Sequence, residues 1–94
     1  MAIARVVTFD GVTKDRMEEM RTNMQSGERP EGLPATEILV LHDPGAEKSM
    51  VVLFFDSEDD YRKGDEVLNA MPASDTPGQR SSVGRYDVAV RMTA

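Results

Sequence analysis

Apolar residues recur along this chain at two different spacings, and each spacing predicts a type of element. Over residues 3–9 the apolar side chains alternate between two faces around Arg5, which predicts a first β-strand. In the next segment apolar residues stand three and four apart, and Thr13 is placed to cap an amphipathic helix. The apolar face of that helix consists of methionine: Met17, Met20 and Met24. Methionine packs adaptably, so we expect this face to lie on a sheet.

Two apolar runs in the middle of the chain predict a β-hairpin. Before them, residues 25–34 are rich in glycine and proline and predict a long loop. One predicted strand covers residues 37–42, of which 38–41 are apolar, and the other covers residues 50–55, which are all apolar, as in strands that are covered on both faces. Between them, residues 43–45 (DPG) predict a tight turn, with proline where type I and type II turns fix φ. Glycine stands where type II needs a positive φ.

A second helix is predicted directly after the 50–55 strand. Ser57, with Asp60 three residues later, resembles a capping box in which aspartate replaces the usual glutamate. Acidic residues crowd the first turn, where the helix dipole favours negative charge. Apolar or small residues then recur every three or four positions: Tyr61, Gly64, Leu68 and Met71. We expect this stripe to lie on the preceding strand.

The C-terminal part of the chain predicts a loop and a last strand. Residues 72–81 contain two prolines and a glycine, which predicts the loop. Over residues 83–92 apolar and charged side chains alternate, which predicts a strand with one face in water. Its apolar positions are Tyr86, Val88, Val90 and Met92, which alternate with Arg85, Asp87 and Arg91.

The predicted order of elements is β-α-β-β-α-β, which is typical of an α+β, ferredoxin-like fold. Right-handed crossovers place both helices on one face of a four-stranded antiparallel sheet. The other face then stays uncovered although the middle strands are apolar on both sides, which is unusual for a monomer. A second copy of the chain is the simplest cover, so we expect a homodimer.

Composition and charge narrow the range of functions. A length of 94 residues predicts one domain spanning residues 1–94, and 39% hydrophobic with 30% charged residues is typical of a soluble globular protein. The net charge of −6 argues against nucleic acid as a partner. No apolar run approaches the ~20 residues of a membrane helix, and the N-terminus lacks a secretion signal. A cytoplasmic protein with no membrane partner is therefore expected.

Four short stretches carry a resemblance to a known family: residues 32–37 (GLPATE), 39–44 (LVLHDP), 54–56 (FFD) and 58–61 (EDDY). With them the chain resembles the dimeric α/β-barrel superfamily, which includes antibiotic-biosynthesis monooxygenase-like and stress-responsive proteins. It is similar in particular to a subgroup of small bacterial proteins over nearly its whole length. The resemblance implies two sheets packed face to face into a barrel, with a small organic ligand between the sheet and the helices of each subunit.

Few residues are candidates for chemistry. His42 is the only histidine, and it could act as a general base oriented by Asp43 or by another carboxylate. Its place at a strand end beside a turn favours a structural role instead. Arg5 interrupts an apolar face, and it could hold a substrate carboxylate in a bidentate grip. An ion pair with Glu37, Asp87 or another acid would satisfy it equally well.

Tyr61 and Tyr86 are the candidate ligand-binding residues, because each can line a pocket with its hydroxyl at the mouth, although buried tyrosines commonly do so without a function. No metal site is predicted. A single histidine and no cysteine exclude a multi-histidine or thiolate site within one subunit, and Val67 stands where a calcium loop starting at Asp56 needs glutamate. Haem-degrading relatives in the superfamily use tryptophan and histidine, which this chain lacks at those places, so no cofactor is expected.

These observations leave three functions open. The first is a small homodimer that binds a small, largely apolar organic molecule or acts as an accessory stress-type protein. The second is a cofactor-independent monooxygenase or isomerase of the same superfamily, in which the substrate supplies the electron-rich centre and His42 and Arg5 assist. The third is a structural or interaction module whose barrel is filled by side chains.

Overall fold

The computed structural model describes residues 2–25, 32–70 and 78–92. Its elements follow in the order β1 (Ile3–Asp10), α1 (Lys14–Gln25), β2 (Glu37–Asp43), β3 (Lys48–Phe55), α2 (Glu58–Asn69) and β4 (Gln79–Asp87). The four strands form one antiparallel sheet in the order β2-β3-β1-β4. This is the ferredoxin-like α+β arrangement that the order of elements predicted. Among the described residues no helix is long and apolar enough to cross a membrane.

The strand register assigns each residue of the sheet to one of two sides. Residues that pair across antiparallel strands share a side, and alternate residues along a strand share it too. We call the side that packs on the helices the helix side, and the other the open side. Helix-side residues of the two central strands are Ile3, Arg5, Val7, Phe9, Ser49, Val51, Leu53 and Phe55. Open-side residues include Val6, Leu39, Leu41, Met50, Val52, Phe54 and Tyr86.

The hydrophobic core lies between the helix side and the two helices. Its buried members are Val7, Phe9, Val12, Met17, Val51, Leu53 and Phe55. Met17 is buried there and Met20 packs against the cluster, so the methionine face of α1 does lie on the sheet. The side chain of Met24 is outside the described residues, as is Met71 of the second predicted stripe.

Both helices begin at the predicted caps. The Thr13 hydroxyl accepts a hydrogen bond of 3.2 Å from the Arg16 backbone N–H at the start of α1. The Ser57 hydroxyl accepts one of 3.2 Å from the Asp60 N–H at the start of α2. Each bond satisfies one of the backbone donors that a helix start leaves unpaired, which confirms the two N-cap predictions.

The β2–β3 hairpin is present as predicted, but its turn spans residues 44–47 instead of 43–45, and the positive φ falls elsewhere. The left-handed residue is Glu47, at φ 53°, whereas Gly45 has no positive φ. The type II alternative is therefore wrong. An Asp43 carboxylate oxygen accepts a hydrogen bond of 3.2 Å from the Ala46 N–H, and the Glu47 carbonyl accepts one of 2.7 Å from Val12.

The last strand differs from the prediction at both ends. It was predicted over residues 83–92 but runs from Gln79 to Asp87, so the loop predicted over residues 72–81 overlaps its start. The residues 72–77 lie outside the described residues. Pairing with β1 sets these limits, because Asp10 pairs with Gln79 and Ile3, the first residue of β1, pairs with Asp87. Val90 is 76% exposed beyond the strand end.

After β4 the chain crosses the open side at one end of the sheet. The Val88 N–H donates a 3.0 Å hydrogen bond to the Ala2 carbonyl. Farther on, the Arg91 guanidinium lies 4.5 Å from the centre of the Phe54 ring and forms an ion pair with Glu37 of β2. Residues 88–92 therefore reach from one edge strand to the other.

Candidate functional site

Arg5 lies in a central strand and points at α2. It is 2% exposed, its Nε donates to an Asp65 carboxylate oxygen at 2.9 Å, and its Nη2 donates to the Asn69 Oδ1 at 3.1 Å. The ion pair that the sequence left open is thus made with an acid of α2. The two acids named for it have other partners, since Glu37 pairs with Arg91 and Asp87 lies beside Arg85.

The Asn69 side chain is shared by two arginines. Its Oδ1 accepts hydrogen bonds from Arg5 and, at 2.8 Å, from the Nη1 of Arg80 on β4. Its amide nitrogen donates at 3.2 Å to the second oxygen of Asp65. These bonds determine which way the amide faces, because only its oxygen can accept from the guanidinium groups. Two cations therefore converge on one oxygen atom at the end of α2.

A β-bulge in β4 turns Arg80 toward this cluster. Arg80 pairs with Phe9 and Ser82 pairs with Thr8, so Ser81 is one residue too many for regular pairing. Its hydroxyl donates a 3.1 Å hydrogen bond to the Thr8 carbonyl. Simple alternation counted back from Val83 would place Arg80 on the open side, whereas the bulge places it on the helix side. Bulges commonly redirect a side chain in this way.

A second bridge joins β4 to the start of α2. Arg85 forms an ion pair with Glu58, and its guanidinium lies 5.5 Å from the centre of the Tyr61 ring. Tyr61 is half-buried and meets Phe55 edge to face, with ring centres 5.7 Å apart. Burial raises the pKa of the Tyr61 hydroxyl, and the negative charge of Asp65 raises it further.

The two bridges lie on either side of a region between α2 and β4. One end is the Arg80–Asn69 hydrogen bond and the other is the Arg85–Glu58 ion pair. Between these ends Val83 pairs with Val7 on the helix side, and it is 41% exposed. We call this region the α2–β4 cleft. It combines one exposed apolar side chain with an arginine at each end.

His42 lies away from this cleft. Its Nε2 is 3.0 Å from the Val12 carbonyl oxygen, to which it donates, so the ring holds the segment before α1. His42 pairs with Ser49 and Arg5 pairs with Leu53. Strand rise and spacing then place His42 and Arg5 about 17 Å apart within one subunit. The two candidate catalytic residues do not form one site.

The two candidate tyrosines lie on opposite sides of the sheet. Tyr61 of α2 faces the helix side beside Arg85, whereas Tyr86 pairs with Ala4 on the open side and is exposed. A Cβ built on Gly84 would stand 2.7 Å from the Tyr86 ring, so that ring leans along its own strand. Within one subunit Tyr61 borders the α2–β4 cleft and Tyr86 does not.

Three residues of the cluster were missed in the sequence: Asp65, Asn69 and Arg80. Asp65 and Asn69 follow Tyr61 at intervals of four, so their shared helix face was readable. Arg80 carried no such signal, because its side depends on the bulge. Among the described residues no group of three or more acidic or histidine side chains could hold a metal ion.

The chain was compared with protein-family models and with curated proteins. No protein-family model matches the chain, and no curated protein matches it significantly. The fold defines a small ferredoxin-like α+β protein. Membership of the dimeric α/β-barrel superfamily stays a prediction from the sequence.

Proposed function

We propose that this protein is a homodimer of the dimeric α/β-barrel type that binds a small, largely apolar organic molecule in the α2–β4 cleft. The observation that carries the proposal is Val83, an apolar side chain on the helix side that stays 41% exposed between two polar bridges. Apolar surface flanked by a few placed polar groups is the usual composition of a small-molecule site.

Binding is favoured over catalysis because the polar groups named for catalysis already have hydrogen-bond partners. The guanidinium of Arg5 is engaged by Asp65 and Asn69, and His42 bonds a backbone carbonyl elsewhere. General acid–base catalysis needs a group within hydrogen-bond reach of the reacting atom. The monooxygenase or isomerase alternative therefore lacks its proposed pair of residues in one cleft.

The homodimer is proposed from the open side of the sheet. Leu39, Leu41 and Met50 are exposed there, and no helix of the described residues covers them. Exposed apolar areas of this kind mark protein interfaces, and twofold dimers are the commonest assemblies. A second sheet packed on the open side would form the barrel and leave the α2–β4 cleft accessible on the outer, helix side.

Binding of the neutral fluorescent probe N-phenyl-1-naphthylamine tests the cleft. We expect the wild-type chain to bind it, and Val83→Lys to weaken binding at least tenfold, because the substitution replaces the exposed apolar side chain by a charged one. Val90→Lys is the matched control, since Val90 is more exposed and lies beyond β4. No binding by the wild type, or equal binding by Val83→Lys, would overturn the proposal.

A further inference from the structure

The three arginines around the cleft differ in how their charge is balanced. Among the described residues, Arg85 has two carboxylate neighbours, Glu58 and Asp87, and Arg5 has one, Asp65. Arg80 instead donates to the neutral amide of Asn69. In total these three arginines have three carboxylates beside them. Arg80 is the one whose partner among the described residues is uncharged.

The arginines also differ in their exposure to solvent. Arg5 is almost fully buried, and both of its described hydrogen bonds go to α2, so it is not the group that meets a ligand. Arg80 is exposed, and it keeps further N–H donors beyond the one given to Asn69. It stands on the same side of β4 as Val83, and because their partners Phe9 and Val7 are two residues apart on β1, the two positions lie about 7 Å apart along the sheet.

We infer that the ligand of the α2–β4 cleft is an organic acid, whose carboxylate binds Arg80 beside Asn69 while its apolar part lies on Val83. The inference rests on the proposed function and names the class of ligand. A planar carboxylate matches the forked donors of a guanidinium, and the pair is stronger than neutral hydrogen bonds.

Benzoate and benzamide test the inference, because they share size and shape and differ in charge. Each is titrated into the full ¹⁵N-labelled chain, and amide shifts at Asn69, Arg80 and Val83 are followed by NMR. We expect benzoate to bind at least tenfold more tightly than benzamide, with an affinity that falls as salt rises. Equal affinities of the two probes would overturn the inference.

Two arginine variants test whether the tighter binding of benzoate depends on Arg80. We expect Arg80→Gln to lower benzoate affinity to that of benzamide and to leave benzamide affinity unchanged. Arg62→Gln, on the exposed face of α2, removes the same charge and should leave both affinities unchanged. Equal losses in the two variants would show a net-charge effect and overturn the inference.

The naphthylamine probe distinguishes the inference from the proposed function. If that neutral probe binds at Val83 but benzoate binds no more tightly than benzamide, the inference of an organic acid is wrong, and the proposed binding of an apolar molecule in the cleft stands. If neither benzoate nor the naphthylamine shifts the cleft residues, the proposed function fails and takes the inference with it.

Discussion

Gly64 brings α2 unusually close to the sheet. A Cβ built on it would lie 2.4 Å from the ring of Phe55, which is fully buried. We expect Gly64→Ala to destabilise the fold by about 1–2 kcal/mol, because overpacking outweighs the roughly 1 kcal/mol that alanine adds to helix stability. Urea unfolding measures this, with the exposed neighbour Lys63→Ala as control. A more stable Gly64→Ala variant would contradict the close contact.

Glu47 holds a backbone conformation that suits glycine better. At φ 53° it is left-handed, and its carbonyl accepts the hydrogen bond from Val12. We expect Glu47→Gly to raise the free energy of unfolding by up to about 1 kcal/mol, since glycine enters this region without steric cost. Glu47→Ala keeps the strain and should change stability little. Thermal unfolding of the two variants decides, and a glycine variant no more stable than the alanine one would contradict the expectation.

The Tyr61 hydroxyl reports on the interior of the cleft. Its pKa is raised by burial first and by Asp65 second. The unfolded chain loses this proton near pH 10. The folded chain loses it at higher pH. The contribution of the protonated Tyr61 to the free energy of unfolding is therefore complete below about pH 10, and it fades as pH rises through the pKa of the folded chain.

Absorbance at 295 nm in a Tyr86→Phe background measures that ionisation, since Tyr61 is then the only tyrosine. We expect titration above that of free tyrosine, and Asp65→Asn to lower the pKa of Tyr61 because it removes a neighbouring negative charge. A titration at or below that of free tyrosine would show that the ring is not buried against the sheet.

At the scale of elements, the Arg5–Asp65 pair joins the centre of the sheet to α2, and its two halves differ in exposure. Arg5 is buried, whereas Asp65 is partly exposed. We expect Asp65→Ala to cost roughly 2–4 kcal/mol, because it leaves a buried cation without its carboxylate. Arg5→Met should cost less, on the order of 1 kcal/mol, since water reaches the remaining carboxylate.

Urea unfolding compares these two variants with Asp59→Ala, an exposed acid on the first turn of the same helix. Little change is expected there, because exposed charges contribute little to stability. If Arg5→Met lowers the free energy of unfolding more than Asp65→Ala does, an unpaired buried arginine is not the main cost of breaking this ion pair.

The elements differ in how far the sequence alone could predict them. The first strand, both helix starts and the hairpin carry local signals, such as alternation, Thr13 and Ser57. β4 begins with the polar residues Gln79 and Arg80, whose place in the sheet is decided by pairing with β1. Because the pairing partners are distant in the sequence, the alternation of apolar and charged residues could not locate either end of this strand.

The candidate site was predictable only in part for a related reason. The buried Arg5 was visible as a charge in an apolar strand, and the need for an acidic partner followed. Which acid serves was not visible, because Asp65 reaches Arg5 only once α2 lies across β1. His42 looked more promising in the sequence than in the fold, since its distance from Arg5 is a property of the sheet register.

For the whole molecule, the open side of the sheet predicts the assembly. Leu41 is 53% exposed in one subunit, so Leu41→Lys should leave the subunit folded and convert the expected dimer to a monomer. Sedimentation equilibrium measures the mass, and circular dichroism checks the fold. Val83→Lys makes a comparable change on the helix side, away from the proposed interface, and should stay dimeric. A wild-type chain that sediments as a monomer would contradict the proposed barrel.

The bulge in β4 has a consequence for how this chain tolerates changes of length. Ser81 is surplus to the ladder between β1 and β4, because Arg80 and Ser82 already pair with successive residues of β1. Loss of its single codon would give a regular strand with Arg80 and Val83 still facing α2. Loss of one residue elsewhere along that ladder would exchange the two sides for everything beyond it. The strand thus contains one place at which evolution can shorten the chain by a residue without rebuilding the cleft.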